Sequence, residues 1–130
     1  MQRIQTYPDP FESFALSQAI AMGDWIFVSG QAALNRQGEV VGEGNFLVQA
    51  ETAFENLREV LQAADSGLHD VVKVTIFVTD ISYFSEVVEL RRRYFSLPYP
   101  ADSIVEVSAL ALPQLMFEIE AIAMRGAGRS

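Results

Sequence analysis

The sequence predicts an α+β domain in which two helices cover one face of a β-sheet. Three observations predict it. The spacing of apolar residues switches between period two and a helical period several times along the chain. The resulting order is strands, helix, strand, helix, strands, the pattern of helices gathered on one side of a sheet. Size and composition agree: 130 residues, half of them hydrophobic and 20% charged, suit a single domain over 1–130 with a core of its own.

The elements follow in order. Ser17 to Ser29 reads as a hairpin, with Gln18, Ile20 and Met22 alternating with Ala19 and Ala21 before a Gly23-Asp24 turn. Trp25-Ile26-Phe27-Val28 is the return strand, Ser29-Gly30-Gln31 ends it, and Arg36-Gln37-Gly38 marks a polar loop. From Phe46 to Ala64 the residues Phe46, Ala50, Ala53, Phe54, Leu57, Val60, Leu61 and Ala64 keep helical spacing, with Asn45 as N-cap and Gly67 as stop. Val71 to Val78 returns to period two, placing Val72, Val74, Ile76 and Val78 opposite Val71, Lys73, Thr75 and Phe77. A second helix is expected from Ser82 to about Ser96, its stripe formed by Phe84, Val87, Val88 and Phe95 with Arg91 in the same arc, and Pro98 and Pro100 end it. Strands over Ser103–Ala109 and Leu115–Met124 close the domain.

One face of that sheet lies under the helices. The other is expected to carry Lys73, Thr75, Phe77, Ile104, Glu106, Met116, Glu118, Glu120 and Ile122. That face is too apolar to stay wet and too acidic to be an ordinary core. A self-associating face with pockets at its seams reconciles the two, and homo-oligomers usually close.

Charge and composition exclude several functions. Nine basic and seventeen acidic side chains give a net charge of -8, which argues against a nucleic-acid partner and against an anionic membrane. There is no cysteine, hence no disulfide and no thiolate chemistry. The single histidine, His69, is read as a surface loop residue, and no metal site is expected. Gly42-Glu43-Gly44 is too short for a phosphate loop and carries a carboxylate. Arg91-Arg92-Arg93 reads as a solvated helix face, with Arg91 able to reach an interface. The tail from Gly126 is expected to fray. No signal peptide or membrane span is visible, so a cytoplasmic location is expected.

Four segments carry a resemblance to a known family: Ser17-Gln18-Ala19; Phe27-Val28-Ser29-Gly30-Gln31; Asp70-Val71-Val72-Lys73-Val74-Thr75-Ile76-Phe77-Val78; and Glu118-Ile119-Glu120-Ala121-Ile122-Ala123. In this order and spacing they resemble the reactive intermediate deaminase (RidA/YjgF) family, once labelled endoribonuclease or translation inhibitor. The resemblance implies a chorismate-mutase-like fold, a mixed six-stranded sheet with two helices on one face. It also implies a homotrimer whose sheets line a central barrel, with a small-molecule site at each subunit interface and no cofactor.

The resemblance implies site residues too. Ser29 and Gly30 border the pocket through their backbone, and Glu120 positions or activates water. Leu16 stands where deaminating members have a tyrosine, Ile104 where many have a cysteine, and Val88 where an asparagine is frequent. Pro100-Ala101-Asp102-Ser103 replaces a Pro-Ala-Arg-Ser segment whose arginine clamps a substrate carboxylate. An aspartate there repels a carboxylate, so the usual 2-imino acid deamination is not expected. Asp102 and Glu120 together would wall a negative cleft or act as an acid–base pair.

Bland readings stand beside these. Asp102 is also a plausible turn residue, and Glu120 a plausible interface partner of Lys73. Ser29-Gly30 is also an ordinary strand end, and Glu106 and Glu118 are read as structural carboxylates. Three functions compete: a cofactor-free hydrolase or deaminase of a small imine or enamine with altered substrate, a non-catalytic small-molecule-binding or regulatory trimer, and, weakest, a ribonuclease.

Overall fold

The core begins along the first helix. In the computed structural model, which describes residues 1–129, α1 spans Phe46–Ala63 and buries Phe46, Ala50, Ala53, Phe54, Leu57, Val60 and Leu61. The Asn45 side chain accepts the Val48 N–H at 3.1 Å, the expected N-cap. The helix stops earlier than Gly67: Asp65 takes the left-handed conformation, φ 56°, two residues after Ala63.

The stripe packs on a six-stranded sheet in the order β1 (Gln2–Ile4), β2 (Ala19–Met22), β3 (Trp25–Gln31), β6 (Phe117–Met124), β4 (Val71–Val78), β5 (Ala101–Glu106). All neighbours are antiparallel except β4 and β5, which are parallel and joined across α2 (Phe84–Tyr94). Ala19, Ala21, Ile26, Val28, Val74, Ile76, Val78, Phe117, Ile119, Ala121 and Ala123 are buried beneath the helices. Phe54 stacks on Tyr94 with ring centroids 4.5 Å apart, tying α1 to α2.

Several expectations are corrected. β1 is a strand the apolar pattern does not show. A bulge between Val71 and Lys73 buries Val71 in place of Val72. The stripe of α2 is turned, so that Val87 and Leu90 are buried while Phe84 is exposed. β5 begins at Ala101 and ends at Glu106, and its facing is the reverse of that expected. Asp102, Ile104 and Glu106 pair with Val74, Ile76 and Val78, so they share the helix-bearing face, while Ser103 and Val105 pair with Thr75 and Phe77 on the open face.

As far as Gly128 the end of the chain is tied down rather than frayed. The Arg125 N–H donates to the Asp24 carbonyl at 2.8 Å, and its guanidinium donates to the carbonyls of Ala64 at 2.8 Å and Gly23 at 2.9 Å. Gly128 N–H donates to Asp70 Oδ1 at 3.0 Å. Ser130 lies outside the described residues.

Candidate active site

Of the residues singled out in the sequence, Leu16, Ser29 and Gly30 line one cavity and Asp102 another, while Glu120 and Ile104 line neither. The first has a volume of about 450 Å³ and is lined by Phe11, Phe14, Leu16, Ser29, Gly30, Leu112 and Glu118, among others. Its floor is a small second core of Phe11, Ala32, Ala33, Leu34 and Leu115. The register between β3 and β6 shifts between Val28 and Gln31, so Ser29 and Gly30 have no directly opposed partner on β6. The segment is nonetheless held firmly. Ser29 Oγ donates to the Ser17 carbonyl at 2.6 Å, and Asn56 Nδ2 on α1 donates to the carbonyls of Ala32 and Leu34, both at 2.9 Å. The Ser29 hydroxyl therefore positions backbone and is no nucleophile.

Among the described residues, Glu118 is the one carboxylate that lines this cavity. Its side chain lies over Gly30 so closely that a Cβ at residue 30 would stand 2.6 Å from Glu118 Cδ. A glycine at this strand end is required for that close approach. Burial pushes the Glu118 carboxyl above its ordinary range, and the Glu120 carboxylate two residues away pushes it further. Glu120, the expected catalytic group, is exposed on the open face opposite Thr75 and stands outside the cavity. Both residues alternate onto the same face, so period-two reasoning could not separate them. Only the strand pairing beside Gly30 does.

The second cavity, about 290 Å³, lies between α2 and β5 and is lined by Val88, Arg91, Arg92, Phe95, Tyr99, Pro100 and Asp102. Asp102 does not approach Glu120 within the subunit, since the two lie on opposite faces of the sheet. Asp102 is instead paired with Arg91: Nε donates to Oδ2 at 2.7 Å and a terminal nitrogen donates to Oδ1 at 3.0 Å. Burial raises the Asp102 carboxyl, outweighing the opposing pull of Arg91 and of Lys73. Lys73 donates to the carbonyl of Val74 and to Ser103 Oγ, each at 3.3 Å. Ile104 packs against the main core and lines neither cavity.

His69 borders a third cavity, beside Leu97, Pro98 and Tyr99, with its ring fitted closely against Gly67 and Gly128. Its neighbour Asp70 is buried. Burial pushes that carboxyl up, but the Ser66 hydroxyl at 2.6 Å, the N–H groups of Gly128 and Gly126 and the nearby His69 outweigh it and hold it below its usual value. Among the described residues no three His, Asp or Glu side chains converge as a metal ion would require. No helix among them is long and apolar enough to cross a membrane.

Comparison with known proteins gives this arrangement a family. The sequence matches the Endoribonuclease L-PSP family over residues 7–125. A RutC family protein of Pyrococcus abyssi is 39% identical over 110 residues, covering 84% of this chain and 85% of that protein. A mouse (Mus musculus) protein named 2-iminobutanoate/2-iminopropanoate deaminase is 34% identical over 123 residues, covering 95% of this chain and 90% of the relative. The crystal structure of RidA from the Antarctic bacterium Psychrobacter sp. PAMC 21119 superimposes with a TM-score of 0.87 at 36% identity, covering 95% of this chain and 99% of that one. The chain therefore belongs to the Endoribonuclease L-PSP family, in its RidA/YjgF group, and its six-stranded sheet with two helices is that group's chorismate-mutase-like fold.

Proposed function

We propose that the protein is a hydrolase that deaminates a small imine or enamine, with Glu118 as its acid–base group. The observation that carries this is a single carboxylate, with raised proton affinity, folded over Gly30 in a mostly apolar cavity. Such a group holds a proton closer to neutral pH and can both give and take it. Protonated Glu118 donates to the imine nitrogen. Water then attacks the carbon and returns a proton to Glu118, giving a carbinolamine. Glu118 passes that proton to nitrogen, the C–N bond breaks as the hydroxyl proton returns to Glu118, and the carbonyl product and ammonia leave. The name of the mouse relative supports the reaction class. Glu120 acts by raising the proton affinity of Glu118 rather than by touching substrate.

The reading includes a homotrimer in the cytoplasm. The open sheet face exposes Met22, Trp25, Phe27 and Val105, each 41% exposed or more, alongside Phe77 and Ile122. An apolar surface of that kind calls for a partner, and a closed ring of copies supplies one. In such a ring the Gly30–Glu118 cavity of one subunit meets the α2–β5 cavity of the next, uniting Leu16, Ser29, Gly30 and Glu118 with Asp102. Light scattering should give a mass near three times 14.4 kDa. A monomer at micromolar concentration overturns the assembly. An RNA substrate is disfavoured by the net charge of -8.

The test of the chemistry is ammonia release from freshly generated imines. The wild type is expected to exceed the buffer rate, and Glu118→Gln to fall by about 10² or more. A wild type no faster than buffer on charged and neutral imines alike would leave a binding protein on this scaffold.

A further inference from the structure

We propose that Asp102 fills the anion seat of Arg91, so that the cavity between α2 and β5 admits uncharged ligand groups and turns carboxylates away. The proposal deepens the functional reading above, on which it rests for calling the ligand a substrate: the imine attacked would lack a free carboxylate.

The geometry is that of a ligand already in place. Two nitrogens on one edge of the Arg91 guanidinium meet the two oxygens of Asp102 at 2.7 and 3.0 Å. This is the parallel, two-point hold by which arginine recognises carboxylates. The pair is part of a wall and no flexible surface bridge, since the two side chains are 22% and 14% exposed. Arg91 is further held by the Phe84 ring, whose centroid lies 5.9 Å from its Cζ. Around the pair the lining is Val88, Phe95, Tyr99 and Pro100, with the largely exposed Arg92 beside them.

Other cations nearby are already engaged. Arg92 is largely exposed and pairs with Glu89. Lys73 lies on the open face and bonds to Val74 and Ser103. A ligand carboxylate that takes the two-point hold of Arg91 must therefore displace Asp102. It would leave behind a half-buried aspartate with no partner, whose carboxyl burial already disfavours in its charged form. A carbonyl or amide imposes no such exchange, because it needs no full counter-charge.

The experiment is equilibrium binding of 2-oxobutanoate and its neutral amide, measured by calorimetry on the full chain. Wild type is expected to bind the amide at least tenfold more tightly than the acid. Asp102→Asn keeps the shape but removes the charge, and it should tighten the acid at least tenfold. The double variant Arg91→Gln/Asp102→Asn should lose that gain. Nitrogen NMR of the Arg91 Nε–H group, which should shift on acid binding in Asp102→Asn only, shows that the variant is folded and that the seat is the one described. Asp102→Ala should act in the same direction. The proposal is overturned if Asp102→Asn gains no affinity for the acid over wild type, or if the double variant keeps the gain. Neither result depends on ammonia release, so a failed deaminase assay with the binding switch intact would remove the reaction and leave the seat.

Discussion

Two cavities of this subunit each contain a carboxylate whose proton affinity burial has raised, and they treat it in opposite ways. Glu118 lies over a glycine among mostly apolar side chains, and the charge that acts on it, Glu120, has the same sign. Asp102 is gripped at both oxygens by Arg91. The difference teaches that burial alone does not make a reactive group. A carboxylate without a counter-ion has a proton to trade, whereas one with a bidentate partner serves as fixed structure and, on the proposal above, as a filter.

The comparison can be broken most forcefully at Glu118. Glu118→Gln should reduce ammonia release by about 10² or more, while neutralising Asp102 should leave the chemical step standing once a bindable imine is supplied. Equal losses from both changes, measured as single-turnover rates, would erase the distinction.

A subtler change tests the close approach. Gly30→Ala puts a methyl where the Glu118 carboxyl lies, and only the far end of a flexible side chain has to move. Thermal unfolding should show a loss of about 1 kcal/mol or less, while turnover falls about tenfold because a displaced group acts poorly. A large loss of stability would mean that Gly30 serves the fold and not the site.

The Arg91–Asp102 pair should reveal itself in stability. Arg91→Ala leaves a half-buried aspartate without a partner and should cost about 2 kcal/mol in denaturant unfolding, less than for a fully buried pair because both groups keep some solvent. Replacing both members with apolar residues of similar volume should cost less than the single change.

A pH series sharpens the contrast through a third carboxylate. Asp70 is held below its ordinary value of 3.8, so its contribution is present above 3.8 and is lost as pH falls through its lowered folded value. Asp70→Ala should cost about 1–2 kcal/mol at neutral pH, for lost hydrogen bonds to a charged group, and the gap should narrow in acid. Glu118 has the opposite sign. Its raised value means that folding is favoured below 4.5 and penalised as pH rises through the folded value, so Glu118→Gln should stabilise slightly at neutral pH. A Glu118→Gln protein less stable than wild type at neutral pH would contradict the raised proton affinity.

The two helices and the central strands were readable because their apolar residues follow one period over eight or more positions, as along α1 and β6. β1 has three residues and one buried side chain, Ile4, too short for any period to register. The facing of β5 was inverted because alternation says which residues share a face and not which face it is. Parallel pairing with β4 sets that sign, and it does so through contacts distant in sequence. The same limit explains the site. Glu118 and Glu120 are indistinguishable until Gly30 is laid beside one of them. Arg91 was recognisable as a charge in an apolar arc, but its partner eleven residues away emerges only when the helix packs beside the edge strand. Gln49 was invisible as a polar tie. It is fully buried and holds the carbonyls of Val41 and Gln114 and the N–H of Met116.

Arg125 has a consequence for how the molecule opens. One side chain and its own amide bind the tip of the β2–β3 hairpin at Gly23 and Asp24 and the last turn of α1 at Ala64. Three stretches far apart in sequence are thereby made to loosen together, since freeing any one strands hydrogen-bonding groups on the others. Amide hydrogen exchange should show the hairpin tip and the α1 terminus protected to a common degree. Arg125→Lys, with one nitrogen in place of a fork, should let the two exchange at separate rates while the strands between them keep their protection.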